Sequence, residues 1–135
     1  MAHWLMKSEP NVYGWDNLKK DGVAPWTDVR NYQARNNMMA MKKGDLCFFY
    51  HSNIGREVVG IMEVVHEHYP DPHDEKGKFV LIDMRCKTQF KTPVTLAAIK
   101  ADPRLQNIAL IRQSRLSVMP ITDIEWGIIC ELGGL

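Results

Sequence analysis

The sequence predicts an α+β domain built around a curved or barrel-like sheet. Several segments have the apolar, β-branched and aromatic pattern of strands, and several others have the caps and spacing of short helices. The two kinds of segment follow one another without regular alternation, which is typical of α+β domains. At 135 residues the chain fits one domain and is long enough to bury a core.

The first elements are a short strand and a short helix. Residues 3–7 form the strand, which ends at Pro10 because proline lacks an amide donor and restricts the residue before it. Residues 14–20 form the helix, which Asp21-Gly22 closes.

The chain then enters a loop through Pro25 and Trp26. Asn31 is an N-cap for a helix that runs to about Met41 or Lys42, where Gly44 supplies the C-terminal stop. Three apolar residues follow helical spacing and form the stripe that faces the core: Ala34, Met38 and Met41.

The middle of the chain contains the longest strands. Residues 45–51 are aromatic and apolar, as in a buried strand, and residues 58–68 and 79–90 form two longer strands. Gly60 indicates a bulge or a close approach by another backbone. Polar and proline-rich residues at 52–56 and 69–78 predict a turn and a loop.

The last third contains two helices and a short extended segment. Thr95 caps a helix to about Lys100, and residues 114–118 form a short strand or an extended turn that Met119-Pro120 breaks. The segment from Thr122 to Glu125 matches a capping box and opens a final helix through about residue 131.

Composition and charge restrict the class of protein. The formal net charge of +1 argues against dominant non-specific DNA coating, which needs a strong basic excess, but not against a pocket that reads one nucleotide. Cys47, Cys86 and Cys130 stand far apart without a CxxC pair, so we expect buried free thiols in a reducing cytoplasm. No signal peptide or membrane span is expected, and the expected location is cytoplasmic.

Polar residues are concentrated in residues 30–37. Arginine offers a planar fork of donors, and asparagine and glutamine place a donor beside an acceptor. Such groups suit the edge and the face of a planar ligand such as a base. Seven of these eight positions carry such groups: Arg30, Asn31, Tyr32, Gln33, Arg35, Asn36 and Asn37.

A series of motifs in one order resembles the EVE domain family, which includes the thymocyte nuclear protein group and belongs to the PUA-like superfamily. The similarity runs from about residue 3 to residue 131. Most specific are VRNYQARN and SRLSV in register with KSEP and YHSN. The motifs are MKSEP, YGWDNL, W-x-x-VRNYQARN, M-x-x-GD, FFYHSN, YPDP, PVTL, ADPRL and RQSRLSV.

The resemblance implies a PUA-like β-pseudobarrel with surrounding short helices, and a single EVE domain over residues 1–135. It also implies a non-catalytic module that recognises a modified nucleobase of DNA or RNA in a cleft beside the barrel. No cofactor and no metal are expected. A base that enters such a cleft must leave its stack, and aromatic faces replace the lost stacking.

The candidate residues divide into two groups. Trp26, with Trp15 as the alternative, would face the base, although both could instead be core residues, as we expect for Trp4 and Trp126. The base-binding candidates are Lys7, Ser8, Glu9, Trp15, Trp26, Arg30, Asn31, Tyr32, Asn36, Tyr50, His51 and Ser52. The phosphate-binding candidates are Arg35, Arg112, Arg115 and Ser117, and Lys7 and Arg30 could share this role.

Two of these assignments have structural alternatives. At least half of the polar residues at 30–36 are expected to satisfy main-chain carbonyls of neighbouring loops instead. Arg112 and Arg115 could pair with acidic residues. The sequence also departs from the family pattern: Asp28 stands where glycine is common and would disfavour a phosphate there, and Gly14 stands where serine is common.

An enzyme acting on nucleotides or modified nucleic acid is the second hypothesis, with Glu9, Asp16 and His51 as acid–base groups. A Cys47–His51 pair fails, because four residues of a strand span roughly 13 Å. A small anion or metabolite binder is the third hypothesis.

A zinc site is the weakest alternative. His66 and His68 share one strand face, with His73 and Asp74 in the following loop, and zinc would need three or four such ligands. A hydrated hairpin explains these residues more simply.

Overall fold

A six-stranded mixed sheet forms the centre of the molecule in the computed structural model, which describes residues 2–135. Met1, the first residue of the predicted domain, lies outside the described residues. The strands are β1 (His3–Ser8), β2 (Val23–Trp26), β3 (Leu46–His51), β4 (Glu57–Pro70), β5 (Val80–Thr95) and β6 (Val118–Ile121). Their order across the sheet is β2-β5-β4-β3-β1-β6.

Six short α-helices surround this sheet, and a 3₁₀ turn at Pro103–Leu105 follows the fourth. The predicted α+β class is confirmed. The helices are α1 (Pro10–Tyr13), α2 (Trp15–Asp21), α3 (Tyr32–Ala40), α4 (Leu96–Ala101), α5 (Ala109–Arg112) and α6 (Asp123–Leu132).

Helix α3 joins strands from the two halves of the sheet. It contacts β4 and β5 and also β6, which is the edge strand beyond β1. The nine residues of α3 extend about 14 Å at 1.5 Å each, so one short helix packs against strands that stand four places apart in the sheet order. Such contacts favour the curved sheet that the sequence predicts.

The three predicted caps are confirmed in atomic detail. The side chain of Asn31 accepts a hydrogen bond from the amide of Ala34, and Thr95 does the same for Ala98. Thr122 forms the predicted capping box with Glu125 at the start of α6. These local hydrogen bonds satisfy amides that the first helical turn leaves without partners.

Two strands were predicted wrongly, and each contains a proline. Trp26 lies in β2 and not in a loop, and Pro25 pairs with Asp83 of β5. The last strand begins at Val118 and runs through Pro120 instead of ending before it. Both β2 and β6 are edge strands, where proline is tolerated because one side of the strand makes no ladder hydrogen bonds. Helices α1 and α5 were not predicted.

One hydrophobic core joins the sheet to the helices and contains all four tryptophans. Gly60 has the predicted bulge, since the β4 register shifts beside it, but the group that lies close over it is the side-chain ring of Trp15 and not another backbone. All three cysteines are free, as predicted. Cys47 is buried, whereas Cys86 and Cys130 are half-buried.

Candidate functional site

Two clefts meet where β1 ends, and Lys7 and Glu9 line both of them. Strand β1 pairs in parallel with β3, so that Lys7 lies opposite Tyr50 and Ser8 opposite His51. Parallel strands finish at the same edge of a sheet. The pairing therefore brings together polar residues that stand more than 40 positions apart in the sequence.

The first cleft has a volume of about 520 Å³ and lies between the end of β1, α1 and the segment that joins β2 to α3. Apolar and polar groups alternate along its walls. The lining residues are Lys7, Ser8, Glu9, Val12, Tyr13, Pro25, Trp26, Thr27, Asp28, Val29 and Ser117.

Trp26 supplies the indole in this wall. Its ring packs edge-on against Phe49 at 5.4 Å between centroids, and only 6% of the residue is exposed. Because β2 holds Trp26 from one side and Phe49 from below, the ring has a fixed orientation. A ligand in the cleft meets the exposed margin of a rigid aromatic group.

Acceptor groups cluster in the first cleft. Ser8 donates its hydroxyl hydrogen to the carbonyl of Tyr13 at 2.6 Å, which leaves the oxygen free to accept. The carbonyl of Glu9 accepts from two amides of α1, and its exposed carboxylate makes no hydrogen bond within residues 2–135. Asp28 stands in the left-handed region with φ 65°. Two carboxylates thus border a cleft that has one lysine.

The second cleft is basic and has a volume of about 540 Å³. Four of its lining residues are cations, and Glu9 is the one carboxylate among them. The cations are Lys7, Arg56, Lys100 and Arg115. The other residues are Tyr50, Ser52, Asn53, Leu96, Leu110, Ile111 and Ser114.

Lys7 forms the boundary between the clefts. Its Nζ donates to the carbonyl of Ser114 at 2.8 Å and lies 5.9 Å from the centre of the Tyr50 ring. Burial lowers the pKa of Lys7. Burial also raises the pKa of Tyr50, an effect that the charge of Arg56 partly offsets, so the Tyr50 hydroxyl stays protonated at neutral pH.

His51 acts as an acceptor for the main chain. Its Nε2 accepts a hydrogen bond from the amide of Trp15 at 3.0 Å, which requires an unprotonated nitrogen. Burial lowers the pKa of His51, against the opposing charges of Glu57 and Asp16. This contact ties α2 to the end of β3. It also occupies one of the two ring nitrogens available to His51 for acid–base catalysis.

Trp15 lies in the core and lines neither cleft. Only 3% of it is exposed, its ring covers Gly60, and it packs edge-on against Phe49 at 5.5 Å. Its Nε1 is buried without a hydrogen-bond partner among residues 2–135. This indole therefore offers no surface to a base, whereas Trp26 lines the first cleft with its exposed margin.

The polar residues at the start of α3 also lie outside both clefts. Arg30 pairs with the buried carboxylate of Asp71 at 3.1 Å and lies over the ring of Phe79. Tyr32 stacks on the same ring at 5.3 Å between centroids. Asn31 caps the helix, as described above.

Arg35 and Asn36 complete this surface. Arg35 covers the ring of Tyr32, donates to the side-chain oxygen of Asn36 and donates to the carbonyl of Lys78. These contacts attach α3 to the segment between β4 and β5. They match the structural alternative, in which such residues satisfy neighbouring loops.

The candidate residues near the C-terminal strand lie at different places in the structure. Arg112 donates to the carbonyl of Gln106 and to the side chain of Asn107, and no acidic residue from residue 2 onward pairs with it. Arg115 lines the second cleft, whereas Ser117 lines the first. Ser52 lines the second cleft beside Tyr50.

Two cations of the second cleft were missed by sequence reasoning. Arg56 sits in a turn and Lys100 in the last turn of α4, where a solvent-exposed cation is ordinary. Only the topology brings them together, since Arg56 accepts a main-chain hydrogen bond from Leu96 at the start of α4. No local signal in the sequence could have found the pair.

The part of the chain from residue 2 onward contains no group of three His, Cys, Asp or Glu side chains placed to hold a metal ion. His66 Nδ1 contacts the carbonyl of Glu67, and the carboxylate of Asp74 accepts from the amides of Lys78 and Phe79. Within the same residues, no helix has the length and the apolar character needed to cross a membrane.

Comparison with known proteins identifies the family. The family model described as EVE domain matches residues 2–132. The chain belongs to the EVE domain family. A relative in this family, human thymocyte nuclear protein 1, is 33% identical over 165 residues, which cover 97% of this chain and 73% of the human protein.

Solved structures agree with this assignment. The NMR structure of the protein Rpa0253 from Rhodopseudomonas palustris is 52% identical, covers 99% of this chain and 94% of that chain, and has a TM-score of 0.94. The structure of the human THYN1 protein in complex with 5-methylcytosine containing DNA is 32% identical to this chain. The match covers 100% of this chain and 99% of the human chain, with a TM-score of 0.89.

A more distant likeness concerns the fold alone. A YTH domain from Zygosaccharomyces rouxii is 13% identical, covers 98% of this chain and 86% of that chain, and has a TM-score of 0.62. With these neighbours, the PUA-like α+β fold implied by the sequence resemblance is confirmed.

Proposed function

We propose that this EVE domain is a non-catalytic nucleic-acid-binding module that holds a modified nucleobase in the first cleft. The observation that carries the proposal is the composition of that cleft, in which a rigid indole stands beside free acceptor groups. Its volume of about 520 Å³ lies in the range of small-molecule sites. The relative solved with 5-methylcytosine containing DNA supports a methylated cytosine as the ligand to test first.

The ring, the methyl group and the amino group of such a base each have a partner in the cleft. The margin of Trp26, with Pro25 and Val29, offers apolar contact to the ring and to a methyl group. The carboxylates of Glu9 and Asp28 are acceptors, which suit the exocyclic amino group of cytosine. The base would be flipped out of a duplex or taken from a strand end, since a stacked base cannot enter a cleft.

The size of the expected preference follows from the methyl group. Burying one methyl group contributes roughly 0.8 kcal/mol, which corresponds to about a fourfold difference in affinity. Stacking on a full aromatic face contributes about 1–3 kcal/mol for any base, and contact with the margin of Trp26 contributes toward the lower end of that range. The indole therefore adds affinity for any base, whereas the methyl group and the acceptors decide which base is held.

The remaining candidates have supporting roles in this proposal. Ser8, His51 and Tyr50 hold the shared end of β1 and β3, where their contacts fix the cleft wall. Arg30, Asn31, Tyr32 and Asn36 act through the position of α3 and not by touching the base. Arg35 and Arg112 serve the scaffold, since their donors already have acceptors.

Binding of single-stranded oligonucleotides with one central 5-methylcytosine or cytosine, followed by fluorescence anisotropy, tests the base site. We expect Trp26→Leu to weaken binding to the methylated strand about tenfold, because the side chain stays apolar but loses its aromatic surface. Trp126→Leu is the matched control, since Trp126 is also buried but lies outside both clefts. Unchanged affinity in a folded Trp26→Leu protein would remove Trp26 from the site.

The enzyme hypothesis has less support from the geometry. Nε2 of His51 already accepts a main-chain hydrogen bond, and neither Glu9 nor Asp16 contacts it. Mass spectrometry of modified nucleosides after incubation with substoichiometric protein separates the two functions. A product formed over many turnovers would establish catalysis and contradict the proposal of a non-catalytic module.

A further inference from the structure

We propose that the second cleft is a phosphate site that holds the nucleic-acid backbone beside the bound base, with Arg56 and Arg115 as its main contacts. This inference rests on the proposed function for the identity of the ligand. It adds a second binding site, with residues that have no part in holding the base.

The partners of the arginines single out this cleft. The chain has seven arginines. Two of them, Arg56 and Arg115, make no side-chain hydrogen bond or ion pair with residues 2–135. Both line the second cleft. The other five each donate to a carboxylate, a carbonyl or an amide oxygen: Arg30, Arg35, Arg85, Arg104 and Arg112.

The backbone at Arg56 supports a functional role for its side chain. Arg56 has φ 47°, in the left-handed region that glycine adopts freely and other residues avoid. Such a conformation is strained for a residue with a side chain and tends to occur at functional sites. Here the amide of Leu96 fixes it by donating to the Arg56 carbonyl at 2.8 Å. An arginine in a position suited to glycine directs a cation into the cleft.

The charge of this cleft differs from that of the whole molecule. Four cations and one carboxylate line it, whereas the formal net charge of the entire chain is only +1. Neutral donors accompany the cations, namely the hydroxyls of Tyr50 and Ser52 and the amide of Asn53. Arginine forks and neutral donors together match the oxygens of a phosphodiester.

The position of the cleft favours the backbone of a strand over an isolated anion. Lys7 and Glu9 belong to both clefts, so the second cleft adjoins the first. A nucleotide whose base lies against Trp26 would place its flanking phosphates among cations. Asp28 lines only the first cleft and repels phosphate there, which favours the second cleft for the backbone.

The test compares three ligands on the wild type and on the double variant Arg56→Gln/Arg115→Gln. The ligands are a methylated single-stranded pentanucleotide, the free nucleoside 5-methyldeoxycytidine and inorganic phosphate. We expect the double variant to bind the pentanucleotide at least tenfold more weakly. The slope of log affinity against log salt should fall by about 1.4, since each single-strand phosphate contact contributes about 0.7. Affinity for the nucleoside, followed by NMR titration, should not change.

Lys76→Gln/Lys87→Gln is the matched control, because it removes the same charge from exposed lysines outside both clefts. An equal loss in this control, or an unchanged salt slope in the double arginine variant, would overturn the inference. Phosphate that binds the wild type as tightly as the pentanucleotide would also overturn it, in favour of a free-anion site. If the wild type ignores methylation but the arginine variant still loses the salt dependence, the phosphate site stands and the proposed base preference fails.

Discussion

Asp45 shows how one buried side chain can join three parts of this molecule. Its carboxylate accepts hydrogen bonds from Nε1 of Trp4, from the amide of Lys42 and from the amide of Ala2. It is one of two buried acidic residues among those that the structure describes. The contacts link β1 to the turn that follows α3, so the aspartate takes part in fixing the strand that carries Lys7 and Ser8.

Replacing this carboxylate should destabilise the fold. We expect Asp45→Ala to lower the free energy of unfolding by about 1–3 kcal/mol, because it leaves buried donors without an acceptor. Urea denaturation measures the change. Asp123→Ala is the control, since its side chain is 86% exposed and contacts only the ring of His3, a surface pair worth less than about 1 kcal/mol. Equal losses in the two variants would contradict the role given to Asp45.

The sequence was informative about hydrogen bonds over a few residues and uninformative about distant partners. Asn31, Thr95 and Thr122 cap their helices as predicted, because a cap depends on the next three residues alone. Arg30, by contrast, donates to the carboxylate of Asp71, which lies 41 positions away in the sequence. A planar polar side chain therefore had the same appearance in the sequence whether it faced a ligand or served the scaffold.

At the scale of elements, the approach of α2 to β4 depends on a missing side chain. The ring of Trp15 occupies the space over Gly60 where a Cβ would stand, with Cη2 only 2.4 Å from that position. The close approach lets one indole fill the gap between a helix and a bulged strand. The main-chain amide of Trp15 also donates a hydrogen bond to His51, so this packing positions the end of β3.

Two glycine-to-alanine changes should have opposite effects. Gly60→Ala should destabilise the protein by about 1–3 kcal/mol, because the new methyl group overlaps the Trp15 ring. Gly127→Ala should stabilise it by about 0.5–1 kcal/mol, since Gly127 lies within α6 and a Cβ there meets no atom within 4 Å. Thermal unfolding followed by circular dichroism compares them. A stable Gly60→Ala protein would mean that α2 packs differently.

Elements with strong periodicity or caps were predictable, whereas edge strands were not. β3 and β4 were found because their apolar runs are buried between neighbouring strands. β2 and β6 are four residues long and contain Pro25 and Pro120, so their local sequence favours a loop. Only pairing with a neighbouring strand makes them strands, and that pairing is not encoded within the segments themselves.

At the scale of the whole molecule, one continuous core connects every strand. Trp4, Trp15, Trp26 and Trp126 lie at different places in this core, and each is buried. Their fluorescence therefore reports on the packing of the sheet from several positions. We propose on this basis that residues 1–135 fold as one cooperative unit, as expected for a domain of this length.

Urea unfolding followed by tryptophan fluorescence and by far-ultraviolet circular dichroism should give coincident transitions. Fluorescence reports the loss of the shared core, and circular dichroism reports the loss of helices and strands. In a two-state domain these two losses occur together. Trp26→Leu provides the control for signal assignment, because it removes one of the four indoles. Two separate midpoints would indicate that part of the chain unfolds independently.

The location of the site was only partly predictable at this scale. KSEP and the YHS segment were recognised as cleft residues through the family resemblance, and Lys7, Ser8, Glu9, Tyr50 and Ser52 do line clefts. The division into an acidic-rimmed cleft and a basic cleft could not be predicted. It depends on the parallel pairing of β1 with β3 and on the contact between Arg56 and α4, both of which are long-range.

The interior position of β1, next to the edge strand β6, also affects folding during synthesis. The ribosome makes β1 first, yet this strand lies between β3 and β6. One side of β1 can pair once residue 51 has emerged, whereas the other side stays open until residues 118–121 follow. An open strand edge can pair with other chains. A nascent chain that pauses before β6 therefore carries both an unfinished cleft and an exposed strand edge in need of protection.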